Sequence, residues 1–269
     1  YELINFNMTL EEFKVIFYWE YFHRILARLI GLFFLIPFIF FYFSKKIKPI
    51  KMRICFIILT LIIVQGIIGW YMVMSGLVND ISVSHYRLSI HLFTAFLIIS
   101  IIFWLIKNVI SNENKIFFKY SVRNLPFQIF IFLIFLQIIM GAFVSGLDAG
   151  QIYQTWPLMG NTYFPNDFSI KKISDIFELD THSLVQFYHR NLAYLIFLYS
   201  IFVAVFIYKK KISNLYNSLN VLLFFLFVQV VLGIFTLLSG LNIYLASLHQ
   251  ISSVLLVFSA LNLYYLRAN

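Results

Sequence analysis

Seven apolar runs recur along the chain, at 25–43, 54–74, 88–106, 126–144, 192–208, 219–238 and 251–266. Most approach the roughly 20 residues with which a helix crosses a bilayer. Adjoining turns that tolerate polar residues lengthen the shorter ones. A soluble core of this size needs helices with a polar face, and these show almost none. The pattern predicts an all-α integral membrane protein with seven transmembrane helices, and the bilayer as its first partner.

The polar residues between the runs give a topology. Loops 44–53, 107–125 and 209–216, together with Arg267, hold 13 of the 20 Lys and Arg residues. If each helix crosses once, all four segments fall on one side, which the positive-inside rule makes cytoplasmic. The other side receives loop 78–85, the long loop 145–182 and loop 240–245, with Asp80, Asp148, Asp167, Asp175, Glu178 and Asp180. Composition agrees with this class: 62% of residues are hydrophobic and only 12% are charged. The net charge of +9 is thus largely topological. The basic residues form no groove-like cluster with interleaved aromatics, so nucleic acid is not an expected partner. Nothing resembles a cleavable signal peptide.

Within the apolar pattern lies an internal repeat. The first half reads EYFHR (20–24), QGIIGWYMVMSGL (65–77) and RLSIH (87–91). The second reads QFYHR (186–190), QVVLGIFTLLSGL (229–241) and LASLH (245–249). A further helix at 126–147 carries Gln137, Gly141 and another Ser-Gly-Leu, and the first half has no counterpart to it. The repeat therefore predicts eight spans in two pseudo-twofold related four-helix bundles, with the first helix missing before Tyr1. The N-terminal half-bundle covers 1–110, the cytoplasmic connection 111–125, and the C-terminal half-bundle 126–269.

Each half keeps two histidines, His23 with His91 and His189 with His249. On this topology all four lie near the outer face, at matched depth within each pair. Imidazoles from two helices are a common way to hold haem iron. Any one of them alone reads equally well as an interfacial histidine; four at repeat-related positions do not. Zinc or copper would call for further Cys, Asp or Glu ligands, and the one cysteine, Cys55, is distant in the topology and precludes an internal disulfide. His85 and His182 have no repeat partner and read as ordinary loop residues. Gly66, Gly69, Gly141 and Gly233 allow close backbone approach, through ordinary helix packing or beside a bound group.

Charges inside the membrane are costly, roughly 2.5–3.5 kcal/mol at a helix centre on insertion scales, and so point to function. Arg24 and Arg190 directly follow a histidine, and Arg87 stands four residues before His91. Arginine suits the propionates of a haem; the alternative is snorkelling to lipid phosphate. The halves differ at Glu20, three residues before His23, whose repeat counterpart is Gln186. An ionisable acid beside a haem can move protons or stabilise developing positive charge, and an amide cannot titrate. This asymmetry assigns chemistry to the first half and electron relay to the second, although Glu20 can equally pair with Arg24 at i,i+4.

These residues resemble the haem A synthase family of bacterial and mitochondrial membranes, over nearly the whole chain. The segments that carry the resemblance are EYFHRILARLIG (20–31), QGIIGWYMVMSGL (65–77), VSHYRLSIH (83–91), GAFVSGLDAGQIYQTWPLMG (141–160), VQFYHR (185–190) and LASLHQ (245–250). The resemblance implies eight helices in two bundles and an oxidoreductase that converts the C8 methyl of haem O to a formyl group, giving haem A. It implies that His23 and His91 flank the substrate haem O, that His189 and His249 ligate a haem b cofactor, and that Glu20 is the functional acid. It also implies an electron donor and a bacterial or mitochondrial inner membrane; haem O synthase, cytochrome oxidase assembly factors and a second copy of the chain (a homo-oligomer) are compatible partners.

Two departures from that family stand out: its first helix, with a Gly-rich outer loop, is missing before Tyr1, and position 85, usually proline in relatives, is His85. The outer-loop cysteine pair of some relatives is also absent, as in the cysteine-free branch. Two other classes compete. A dihaem electron carrier explains the histidine pairs but not the contrast of Glu20 with Gln186. A haem transporter predicts access from both faces, whereas the histidines gather on one.

Overall fold

A computed structural model describes residues 9–78 and 83–268. Asp80 and most of loop 78–85, placed on the outer side by the charge pattern, lie outside the described residues. Seven long helices follow in order: α1 (Leu10–Ser44), α2 (Pro49–Val78), α3 (His85–Ile110), α4 (Leu125–Gly146), α5 (His182–Lys209), α6 (Tyr216–Leu238) and α7 (Ile243–Arg267). Each is long and apolar enough to cross a membrane. Among the described residues there is no strand, only an isolated bridge between Met159 and Thr162. The chain is an all-helical, multi-pass membrane protein.

Three helices, α1, α5 and α7, begin well before the apolar runs that reveal them. Thr9 caps α1 reciprocally: its hydroxyl accepts from the Glu12 N–H at 3.3 Å, and the Glu12 carboxylate accepts from the Thr9 N–H at 2.8 Å. The 35 residues of α1 rise about 52 Å, against a hydrocarbon thickness of about 30 Å. The first turns therefore project beyond the apolar layer, and His23 lies inside α1 rather than at its start. α5 likewise starts at His182 and α7 at Ile243. His189 and His249 thus sit about two turns in from their helix starts, at similar positions along each helix.

The chain divides into two compact units, Tyr1–Val83 and Ser84–Asn269. In the first, α1 packs on α2. Ile58 of α2 is fully buried, while no residue of α1 is buried. The second unit contains α3 to α7. There α4 packs on α5, α5 on α6, α6 on α7 and α7 back on α4. This closes a four-helix ring in which α5 and α7 stand across the diagonal. α3 packs on α4 and α7, so the packing boundary falls before α3, whereas the repeat boundary falls after it.

Packing within the ring is uneven along its axis. Leu215, Leu219, Leu222, Leu261, Ile207 and Tyr264 are fully buried at one end. That end also buries a polar network: the Gln128 amide donates to the Tyr264 hydroxyl at 3.0 Å and to the Lys119 carbonyl at 3.1 Å. Toward the other end burial lapses on three helices together. α6 has no buried residue after Leu226, α7 none before Ser252, and α5 none between Gln186 and Ile196. His189 and His249 fall in this loosely packed stretch.

Local sequence fixes the turns there. Gly240 and Leu241 take left-handed conformations, with φ of 69° and 64°, which ends α6 sharply. The Asn242 side chain then caps α7 by accepting from the N–H groups of Tyr244 and Leu245. A Cβ on Gly150 would stand 2.8 Å from Leu241. The turn after α4 thus packs closely on the Leu241 side chain, which would have to shift to admit a larger residue at 150.

Candidate functional site

Two matching clasps hold the histidines of the second unit. Gln137 of α4 donates through Nε2 to the backbone carbonyl of His189 at 3.1 Å. Gln229 of α6 donates to the backbone carbonyl of His249 at 2.9 Å. One turn further on in each helix stands a glycine against the same imidazole. A Cβ on Gly141 would lie 3.3 Å from Cε1 of His189, and one on Gly233 would lie 3.0 Å from Cε1 of His249. The clasps differ in one respect. Ser252 donates to Oε1 of Gln229 at 2.6 Å, while Oε1 of Gln137 is buried without a hydrogen-bond partner.

His189 on α5 and His249 on α7 both fall in the loosely packed stretch of the ring. Nδ1 of His249 is buried and makes no hydrogen bond. Two imidazoles on diagonal helices, with glycine-cleared walls and an unpaired ring nitrogen, fit the demands of a haem iron held from both sides. Among the described residues, no group of three or more His, Cys, Asp or Glu gathers to hold a bare metal ion.

Above the clasps, the segment after α4 is strapped to α5. Arg190 donates to the carbonyls of Tyr153 at 2.8 Å, Thr155 at 2.8 Å and Leu158 at 3.3 Å. Gln186, one turn earlier, donates to the same Tyr153 carbonyl at 2.9 Å. The amide at 186 thus has a structural use that a carboxylate cannot fulfil, because a carboxylate has no N–H. Asn191 accepts from the Tyr163 hydroxyl. Tyr153 donates to Asp167 at 2.7 Å. Partial burial opposes the Asp167 charge, but the hydrogen bonds it accepts outweigh that and hold its carboxyl below the usual value. His85 approaches Asp180 at 3.2 Å, and Tyr86 donates to the same carboxylate at 3.3 Å, which ties the start of α3 to the residues before α5.

Comparison with known proteins gives the chain a family. Residues 1–261 match the family model COX15-CtaA, described as cytochrome oxidase assembly protein. The chain belongs to the COX15-CtaA family. A relative from Pelagibacter ubique named "Heme A synthase" is 45% identical over 273 residues, covering 100% of this chain and 79% of that protein. One of the same name from Flavobacterium psychrophilum is 40% identical, over 96% of this chain and 77% of its own length. A third, from Rickettsia prowazekii, is 35% identical over 100% of this chain and 80% of its own.

In this member of the COX15-CtaA family the sequence-derived candidates divide between the units. Glu20, His23 and Arg24 lie on exposed stretches of α1 in the first unit, where Arg24 pairs with Glu20 at 3.4 Å. Arg87 and His91 lie one turn apart on half-buried positions of α3 in the second unit. His189, His249 and Arg190 are brought together around α4 to α7. Arg190, expected to meet a propionate, directs Nη1 and Nη2 to loop carbonyls and leaves Nε buried without a partner. Sequence reasoning used Gln137 and Gln229 only as landmarks of the repeat and gave no role to Ser252 or to the strap residues Tyr153 and Asp167. The Gln-x3-Gly spacing was the available signal for the first two.

Proposed function

We propose that this chain is a haem A synthase, an oxidoreductase that takes haem O as substrate and converts its C8 methyl group to a formyl group. The observation that carries the reading is the diagonal placement of His189 and His249, each clasped by a glutamine and a glycine, in a chain whose relatives bear that name. These two residues would hold haem b, which supplies a one-electron relay when bound. Gln137 and Gln229 fix the backbone from which each imidazole projects. Gln186 and Arg190 close the segment 153–158 over that end of the ring and shield it from water.

The substrate roles fall to the first half of the repeat. His23 and His91 serve haem O, and Arg24 and Arg87 answer its propionates. Glu20 acts as the carboxylate beside the reacting methyl: ionised, it accepts protons released by the oxidation and stabilises positive charge at the porphyrin edge. The N-terminal half-bundle 1–110 would then be catalytic, and 126–269 would be the relay. Both histidine pairs would lie near the extracytoplasmic face of a bacterial inner membrane. An electron donor, haem O synthase and cytochrome oxidase assembly factors are the protein partners this reading implies, and homo-oligomers are compatible with it.

A second reading, a dihaem electron carrier, draws support from the Arg24–Glu20 pair, which gives Glu20 a task without chemistry. Glu20→Gln separates the two. Under the synthase reading this variant inserts, keeps haem b and loses most haem A production, so that haem O or a partly oxidised haem accumulates. Normal haem A output from the variant would reduce Glu20 to a partner of Arg24. Absence of haem A from the unmodified protein, in a host that makes haem O, would favour the carrier.

A further inference from the structure

We propose that Gln137 and Gln229 are positioning residues that set the planes of the two ligand imidazoles, an inference that depends on His189 and His249 being the haem b ligands. A carbonyl inside a helix already accepts the N–H four residues on, and its second lone pair can take another donor. In both clasps that second donor is a glutamine amide from the neighbouring helix, aimed at the carbonyl of the histidine itself and of no other residue of the turn. A primary amide in an apolar helix is costly unless it is paired. Leucine would be cheaper at either site if nothing but packing were required.

Each clasp acts on the ring as well as on the backbone. Nε2 of Gln137 stands 3.2 and 3.3 Å from the two ring nitrogens of His189, and Nε2 of Gln229 stands 3.4 Å from Nε2 of His249. The glycine one turn on leaves backbone against Cε1 of the same ring. An imidazole with its carbonyl anchored and the clasping helix close against it has little freedom to turn about its side-chain bonds. The plane it presents to iron is then set by the protein. The His249 clasp is the stiffer of the two, because Ser252 holds the Gln229 amide by its oxygen. The corresponding position in α5, three residues after His189, is Leu192, which offers no donor.

The test uses the full-length protein purified with its haem. Gln137→Leu and Gln229→Leu remove the donors, Gln137→Asn shortens one, and Ser252→Ala frees the Gln229 amide. His189→Ala and His249→Ala serve as references. The readouts are the g values of the low-spin ferric signal, which report the imidazole planes, and the rate of haem loss to an excess of an apoglobin acceptor. The glutamine variants should shift the highest g value and lose haem about 10- to 100-fold faster, the usual effect of removing a partner of a metal ligand. Ser252→Ala should shift the signal in the direction of Gln229→Leu, but less. Unchanged g values with haem loss within about twofold in the glutamine variants would overturn the proposal, even if their melting temperatures fall. If the leucine variants do not fold, Gln137→Asn and Ser252→Ala decide by the same criteria. Retention of a low-spin haem by both alanine references would instead sink the ligand assignment itself.

Discussion

Gly233→Ala should loosen haem without unfolding the bundle. The added Cβ would stand 3.0 Å from Cε1, 3.5 Å from Nδ1 and 3.7 Å from Nε2 of His249. Carbon atoms settle about 3.5–4.0 Å apart, so the ring must retreat by roughly half an ångström or more. Overpacking of this kind costs about 1–3 kcal/mol, and replacing a helical glycine by alanine returns up to about 1 kcal/mol. The folded chain should therefore lose about 0–3 kcal/mol. Strain that falls on the ligating ring would weaken haem binding roughly 5- to 150-fold. Gly141→Ala, with 3.3 Å to Cε1 of His189, should act in the same direction but less. Gly66→Ala is the control, since nothing stands within 4 Å of its Cβ position. The assay is haem stoichiometry and transfer to an apoglobin, alongside thermal unfolding in detergent. A series in which Gly66→Ala loses as much haem as Gly233→Ala would refute the reasoning.

Three other predictions concern the strap and the ligands. Arg190→Gln removes charged hydrogen bonds to three carbonyls; because Thr155 and Leu158 are exposed and water can replace part of the loss, it should cost about 2 kcal/mol and speed proteolysis between 153 and 177, and unchanged cleavage would count against the strap. Asp167 has a depressed carboxyl pKa, so its contribution is complete above the ordinary value of 3.8 and is lost as pH falls through the lower folded value. Cleavage of that segment by an acid-tolerant protease should therefore be flat from pH 7 to about 5 and rise below about 4, and Asp167→Asn should reduce the rise, leaving the share owed to Asp175, whose carboxyl is also depressed by the backbone N–H groups it accepts from. His189→Ala and His249→Ala should each lose stably bound haem b, because an iron deprived of one of two imidazoles binds more weakly; full haem content in both would remove the second pair from the site.

How much of this was legible in the sequence varied with the kind of signal. The seven spans were readable because a helix that is apolar all round over bilayer length is at home only in lipid or deep inside a large core. The helix ends were not, since hydropathy marks the part of a helix in lipid and not its extent. The polar start of α1 is helical because Thr9 and Glu12 cap it, and that places His23 inside the helix. Repetition singled out the four histidines: His189 and His249 lie on one ring of helices, while His23 and His91 lie in different units. Gln186 shows a limit of the same method. Beside Glu20 it reads as a lost acid, while its contacts show an amide required by the Tyr153 carbonyl. Such a need arises only when a segment more than thirty residues away folds back, and no local periodicity encodes that.

The chain's place as a haem A synthase is tested most directly by the mass and visible spectrum of the haems that copurify with the full-length protein from a host that makes haem O. The expected result is a low-spin haem b that disappears in His189→Ala and His249→Ala, accompanied in the unmodified protein by haem A carrying the formyl mass. Haem b alone, with haem O in the membrane left unconverted, would contradict the assignment and leave an electron carrier in its place.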